Sequence, residues 1–197
     1  MFVRSLFFLI AVIACVSCNQ TNLKYDKPYF DFDSLINTQI ASLAKANASL
    51  SKTVSLDGKS DQSTMKTDSA ILAHELDVFR QLDVINKPLY RDAYEISDGE
   101  KDSRSNLLVR KYKSKNPSPV PFVNFYYHND FHHLKKIESY YVENNTLYLT
   151  KRNLQLEFDD TSGTLLLNRY ELTGIQKMIL SDSVKFSIAG SFLPTVH

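Results

Sequence analysis

Cysteine is scarce in this sequence, and its only two copies, Cys15 and Cys18, stand close together near the N-terminus. No cysteine follows residue 18, so a disulfide framework is excluded for the body of the chain, and its stability has to come from packing. Glycine is sparse as well. Gly58, Gly99, Gly163, Gly174 and Gly190 are the five copies, and the closest two, Gly163 and Gly174, are 11 positions apart. That spacing leaves no dinucleotide-binding fingerprint, no phosphate-binding loop and no nucleophile elbow. Excess charge of either sign is also missing: the formal net charge is +1. Nucleic-acid binding needs a basic footprint, and none is present. His74-Glu75 is followed by Leu76, Asp77 and Val78, so the helical zinc-protease pattern lacks its second histidine.

What the N-terminus does contain is one charge, Arg4, followed by an unbroken apolar run from Leu6 to Val16. This is the layout of an export signal. Its 11 residues fall well short of the roughly 20 that a helix needs to cross a bilayer. At its end the segment Ala14-Cys15-Val16-Ser17-Cys18-Asn19 resembles the lipobox of bacterial lipoproteins, in the style found in Bacteroidetes. The resemblance covers about the first tenth of the chain. It implies cleavage before a diacylated cysteine, with Cys18 as the expected lipidation site and Cys15 as the alternative register. Neither cysteine is followed by Asp, which by the same resemblance favours the outer membrane. On this reading residues 1–17 are a signal peptide, 18–30 a lipidated N-terminus and tether, and 31–197 a single domain. Lipid, with no spanning helix, makes the membrane attachment. Removal of Arg4 with the leader leaves 22 basic and 22 acidic residues.

The body of the chain changes period along its length. Phe32, Leu35, Ile36, Ile40, Leu43 and Ala44 fall at helical spacing behind Asp31 or Asp33 as cap. A second helix is expected over Ser69–Asp83, capped by Asp68, with Ile71, Leu72, Leu76, Phe79 and Leu82 on one face. Between the two, Asp57-Gly58 marks a hairpin whose return arm, Lys59–Met65, is polar. Asn86-Lys87-Pro88 ends the helical part. Strand-like segments follow at Leu107–Lys113, Phe122–His128, Leu134–Val142, Leu147–Phe158, Leu165–Leu172 and Val184–Ile188. Asn144-Asn145 and Asp160-Thr161-Ser162-Gly163 supply turns. The expected fold class is α+β: two N-terminal amphipathic helices with a β-hairpin between them, packed on an antiparallel meander that has the option of curling into a half-barrel.

Two constellations are chemically suggestive. His128-Asn129-Asp130-Phe131-His132-His133 brings imidazoles and a carboxylate together, and His128, Asp130 and His132 are the candidate metal ligands. The same residues also suit an exposed hairpin turn. The second constellation is aromatic and basic: Tyr112, Tyr126, Arg110 and Lys113 are the candidate lining of a cleft for a hydrophobic or anionic envelope ligand, or for a partner protein. No cofactor is expected. Function therefore divides between a noncatalytic ligand-binding or accessory module of the cell envelope and, as the alternative, an envelope hydrolase with an Asp/Glu or His site. An enzyme should show converging acidic or histidine side chains, and a binding module an apolar trough.

Overall fold

The computed structural model of the chain describes residues 26–161 and 163–193. The expected leader and both cysteines lie outside these residues. Two α-helices, two short 3₁₀ turns and nine strands make up the rest. Helix α1, Phe32–Lys45, is capped by Asp31, whose carboxylate accepts from Ser34 N. Helix α2, Ser69–Arg80, is capped in the same way by Asp68 from Ile71 N. Each cap satisfies an amide that the first helical turn leaves without a partner. Beyond Arg80 the expected second helix tightens into a 3₁₀ segment, Gln81–Asn86, and Pro88–Tyr90 forms another short turn.

The strands are β1 (Ser49–Leu56), β2 (Lys59–Lys66), β3 (Tyr94–Lys101), β4 (Leu108–Ser114), β5 (Phe122–Tyr127), β6 (Leu134–Asn144), β7 (Tyr148–Thr161), β8 (Thr164–Met178) and β9 (Val184–Leu193). They form one antiparallel sheet in the order β2-β1-β9-β8-β7-β6-β5-β4-β3. From β3 to β9 the sheet is the expected meander. The hairpin β1–β2, which lies between the helices in sequence, adds to it through β1 and β9, with Ser49 opposite Leu193 and Leu56 opposite Phe186. The sheet stays open, with β2 and β3 at its edges. Strand β3 is an element that hydrophobic alternation does not reveal, because among its residues only Tyr94 is buried. Strands β8 and β9 run past the expected ends at Leu172 and Ile188.

One face of the sheet carries the core. Leu50, Phe192, Leu172, Leu154, Ile137, Phe125 and Tyr112 all point to the side on which Phe32, Ile36, Leu43, Leu72, Leu76 and Phe79 of the helices are buried. The other face is open and polar, as antiparallel sheets allow. Across it run Lys111, Asn124, Glu138, Gln155 and Glu171, each opposite the next.

Polar contacts fix how the helices lie. Gln39 is 1 % exposed; its amide donates to Leu165 O at 3.1 Å and accepts from Leu167 N at 2.7 Å. The side chain thus pairs with β8 as a neighbouring strand would, and leaves no orphaned amide under the helix. Helix α2 is held by Glu75, which accepts from the Tyr170 hydroxyl and pairs with Lys52 at 2.6 Å. To reach Glu75, the Tyr170 ring lies across Gly190 on β9, in the space that a Cβ would fill. A methyl group there has to displace the ring and with it the Glu75 contact. Gly190→Ala is therefore expected to lower stability by about 1–3 kcal/mol, measured as a shift of the urea unfolding midpoint with the slope unchanged.

The packed body also begins earlier than residue 31. Tyr29 packs edge-on against Tyr94 and tilted against Tyr112, with ring centroids 5.2 and 5.8 Å apart, and Phe30 tilted against Phe125 at 4.8 Å. Residues that sequence reading gives to the tether thus fill the core beneath β4 and β5.

Candidate functional site

At one end of the sheet lies an apolar trough of about 650 Å³. Its floor is the core face of three strands at the end of the sheet where the helices no longer cover it. Val54 and Leu56 come from β1, Val184, Phe186 and Ile188 from β9, and Leu172, Gln176 and Met178 from β8. Val78 of α2 forms one wall, Ser181 and Asp182 of the β8–β9 turn another, and Arg152 of β7 stands at the inner side. Register explains the assembly. Val54, Ile188, Leu172 and Leu154 form one lateral row across four strands, and Leu56, Phe186, Gly174 and Arg152 form the next. Gly174 shapes the floor, since the Phe186 ring occupies the place of its missing Cβ. The volume falls within the roughly 300–1,000 Å³ usual for small-molecule sites, and so does the mainly apolar lining.

Around the mouth the apolar surface continues outward. Leu56 is 53 % exposed, Ile179 63 % and Leu180 94 %, so the rim of the trough is unusually greasy for a water-facing turn.

A second feature is acidic. Asp31, Asp33 and Asp83 bring carboxylate oxygens within 4.8 Å of one another, a donor set that suits a hard divalent cation. A cation of the chain's own stands among them. Lys27 Nζ lies 2.6 Å from Asp31, 2.8 Å from Asp33 and 3.0 Å from Asp83. Burial opposes the ammonium, but its bonds to the three carboxylates outweigh burial and hold the Lys27 pKa above its ordinary value. Burial pushes the Asp83 carboxyl up despite its bonds to Lys27 and Asn86. At Asp31 burial acts in the same direction, and is outweighed by the Lys27 ammonium and Ser34 N, which lower its pKa. Asp83 also accepts from Phe32 N and Asn86, so the cluster joins residue 27, the start of α1 and the 3₁₀ turn.

The residues singled out from sequence are placed as follows. Cys18 and Cys15 lie outside the described residues. His128, Asp130 and His132 are exposed in the β5–β6 turn, with Asn129 at a positive φ of 60°. Asp130 there accepts from His132 N at 2.9 Å and faces His133 Nδ1 at 3.1 Å. The carboxylate thus serves the turn, as the structural reading of this segment has it. Arg110 and Tyr112 point to the helix-covered face, opposite Phe125 and Val123, whereas Lys113 and Tyr126 belong to the open face. The four do not line one cleft. Arg110 pairs with Asp98 and lies 3.9 Å over the Phe131 ring, and Tyr126 donates to Glu138 at 2.6 Å. Trough and acidic cluster both escape a reading along the chain, because each joins residues far apart in sequence.

Comparison with protein-family models, with curated proteins and with solved structures returned no match. Among the described residues no helix is long and apolar enough to cross a membrane.

The charge balance at Lys27 has a measurable consequence. In Lys27→Met the three carboxyl groups face one another with Arg80, 3.6 Å from Asp33, as the remaining cation, and repulsion raises their pKa values above those of the unfolded chain. Groups raised in this way destabilise the fold while ionised, and the cost disappears as pH falls through the folded pKa. The variant is expected to be about 1–2 kcal/mol less stable than the wild type at pH 7, a figure reduced for the partial exposure of Asp31 and Asp33. Urea melts should show the gap narrowing between pH 7 and pH 4.

Proposed function

We propose that this chain is a noncatalytic ligand-binding module of the bacterial cell envelope, tied to the membrane by lipid on Cys18 and taking an apolar, chain-like ligand in its trough. The observation that carries the reading is the trough itself: a roomy groove with an apolar floor, bordered by one guanidinium and one carboxylate, with no converging catalytic pair among its lining residues. Binding there removes exposed apolar surface of both partners from water, worth about 25 cal/mol per Å². Strand side chains locked by register supply the floor, so little ordering is needed on binding.

A second reading is favoured by the acidic cluster. Three carboxylates within 4.8 Å could serve a metal-dependent envelope hydrolase. It ranks below the first because Lys27 bonds all three carboxylates and holds the place that a metal would take. Heat on calorimetric titration of Mn²⁺ into the wild-type protein at micromolar metal would reverse that ranking.

The binding reading is tested with N-phenyl-1-naphthylamine, an uncharged fluorophore that brightens in apolar surroundings. The purified chain is expected to bind it, and Val54→Asp to bind it roughly tenfold more weakly, a loss of about 1.4 kcal/mol. Val54 is 36 % exposed, so the substitution leaves the core alone; unchanged fluorescence would remove the trough from the account. The address is tested in a producing bacterium. Radiolabelled palmitate is expected to enter the wild type and Cys15→Ala but not Cys18→Ala, and absence of label from all three would overturn the lipid anchor.

A further inference from the structure

The inner side of the trough differs in chemistry from its floor. Arg152 is held from two sides: it donates to Gln81 Oε1 at 2.8 Å, and its guanidinium lies 5.9 Å from the Tyr141 ring centroid. A guanidinium carries five N–H donors, and among the described residues no carboxylate comes within ion-pair distance of this one. Every other arginine that contributes to the core face of the sheet is matched: Arg110, its counterpart on β4, is paired with Asp98. A positioned, unpaired guanidinium beside apolar surface costs free energy unless an anion joins it.

A second polar side chain falls in the same place. Gln176 of β8 lines the trough on the same face of the sheet, in the next pair on that face after Arg152–Gly174, and it is exposed. Arg152 and Gln176 are therefore two neighbouring polar groups with donors to spare, on one side of an otherwise greasy groove.

We infer that the trough selects a single-chain fatty carboxylate, with its head on Arg152 and Gln176 and its tail running over Phe186 and Ile188 towards Val54 and Leu56. This rests on the ligand-binding reading above and adds to it the class and orientation of the ligand. One guanidinium matches one negative charge, and a carboxylate meets its planar fork with two parallel hydrogen bonds. The other charged residue of the lining, Asp182, belongs to the β8–β9 turn. It opposes a carboxylate at that side and so favours the orientation with the head at β7. The apolar rim at Leu56, Ile179 and Leu180 gives the tail a continuous path from floor to surface.

The test compares palmitate with hexadecanol, which has the same tail and no charge, by displacement of N-phenyl-1-naphthylamine. A Cys15→Ser, Cys18→Ser background removes every thiol that could be acylated. The parent is expected to bind palmitate at least tenfold more tightly than hexadecanol. Arg152→Met should weaken palmitate roughly 10- to 100-fold while leaving hexadecanol unchanged. Gln176→Leu, which removes the second donor at the head, should weaken palmitate by a smaller factor without lowering the melting temperature. Equal affinity of the parent for palmitate and hexadecanol would overturn the carboxylate assignment while the trough remains a binding site. A palmitate preference that survives in Arg152→Met would overturn the role of that residue. Failure of both ligands to displace the fluorophore, or of the fluorophore to bind, would overturn the trough and this inference together.

Discussion

The organisation of this protein depends on a mismatch of widths. Nine strands at about 4.8 Å spacing make a sheet roughly 38 Å across, and one face of it has apolar residues to bury on every strand between the two edges. Two helices lying side by side, each about 10 Å in diameter, cover close to 20 Å. The shortfall is made up differently at the two ends. Towards β4 and β5, Tyr29, Phe30 and Phe131 fill the space as a cluster of rings, with Phe131 5.6 Å from Phe125. Towards β1 and β9 nothing equivalent is present among the described residues, and the uncovered strip is the trough.

The two polar features on the covered side show opposite electrostatic solutions. At Lys27 one ammonium is shared by three carboxylates, pinning the first described residues to the turn after α2. Such a cluster organises structure, because each charge that leaves water finds partners within the fold. At Arg152 the side chain is positioned by a neutral amide and a ring, and its charge is left over. A residue ordered without being neutralised is suited to recognition of something outside the chain.

Much of the fold was legible in the sequence, because burial on one face imposes a period. Both helices stand where apolar residues recur every three or four positions, and Asp57-Gly58 forms the expected two-residue turn, with Asp57 and Gly58 both at positive φ. Strand β3 was not legible, since an edge strand with one buried residue has no apolar period to read. The trough was not legible: none of Arg110, Tyr112, Lys113 and Tyr126 lines it. Tyr112 and Lys113 were grouped although neighbours on a strand face opposite ways, a parity that the sequence itself contains. The row from Leu56 through Phe186 and Gly174 to Arg152 was beyond reach, because it depends on the register of four strands. Lys27 was equally hidden: nothing near it in the chain announces Asp83 as a partner.

The long-range closure of the sheet also sets the order in which the chain can fold. Strand β1 finds its inner neighbour only in β9, and α1 docks through Gln39 on a strand more than a hundred residues later. Contacts of such separation are slow to form and cannot begin until the distant segment exists. A ribosome therefore releases the first third of this protein long before its partners have been made, and hydrophobic faces such as those of Phe32 and Leu43 wait uncovered. That interval is when a chaperone can engage an extended polypeptide, and it ends when the last strand arrives.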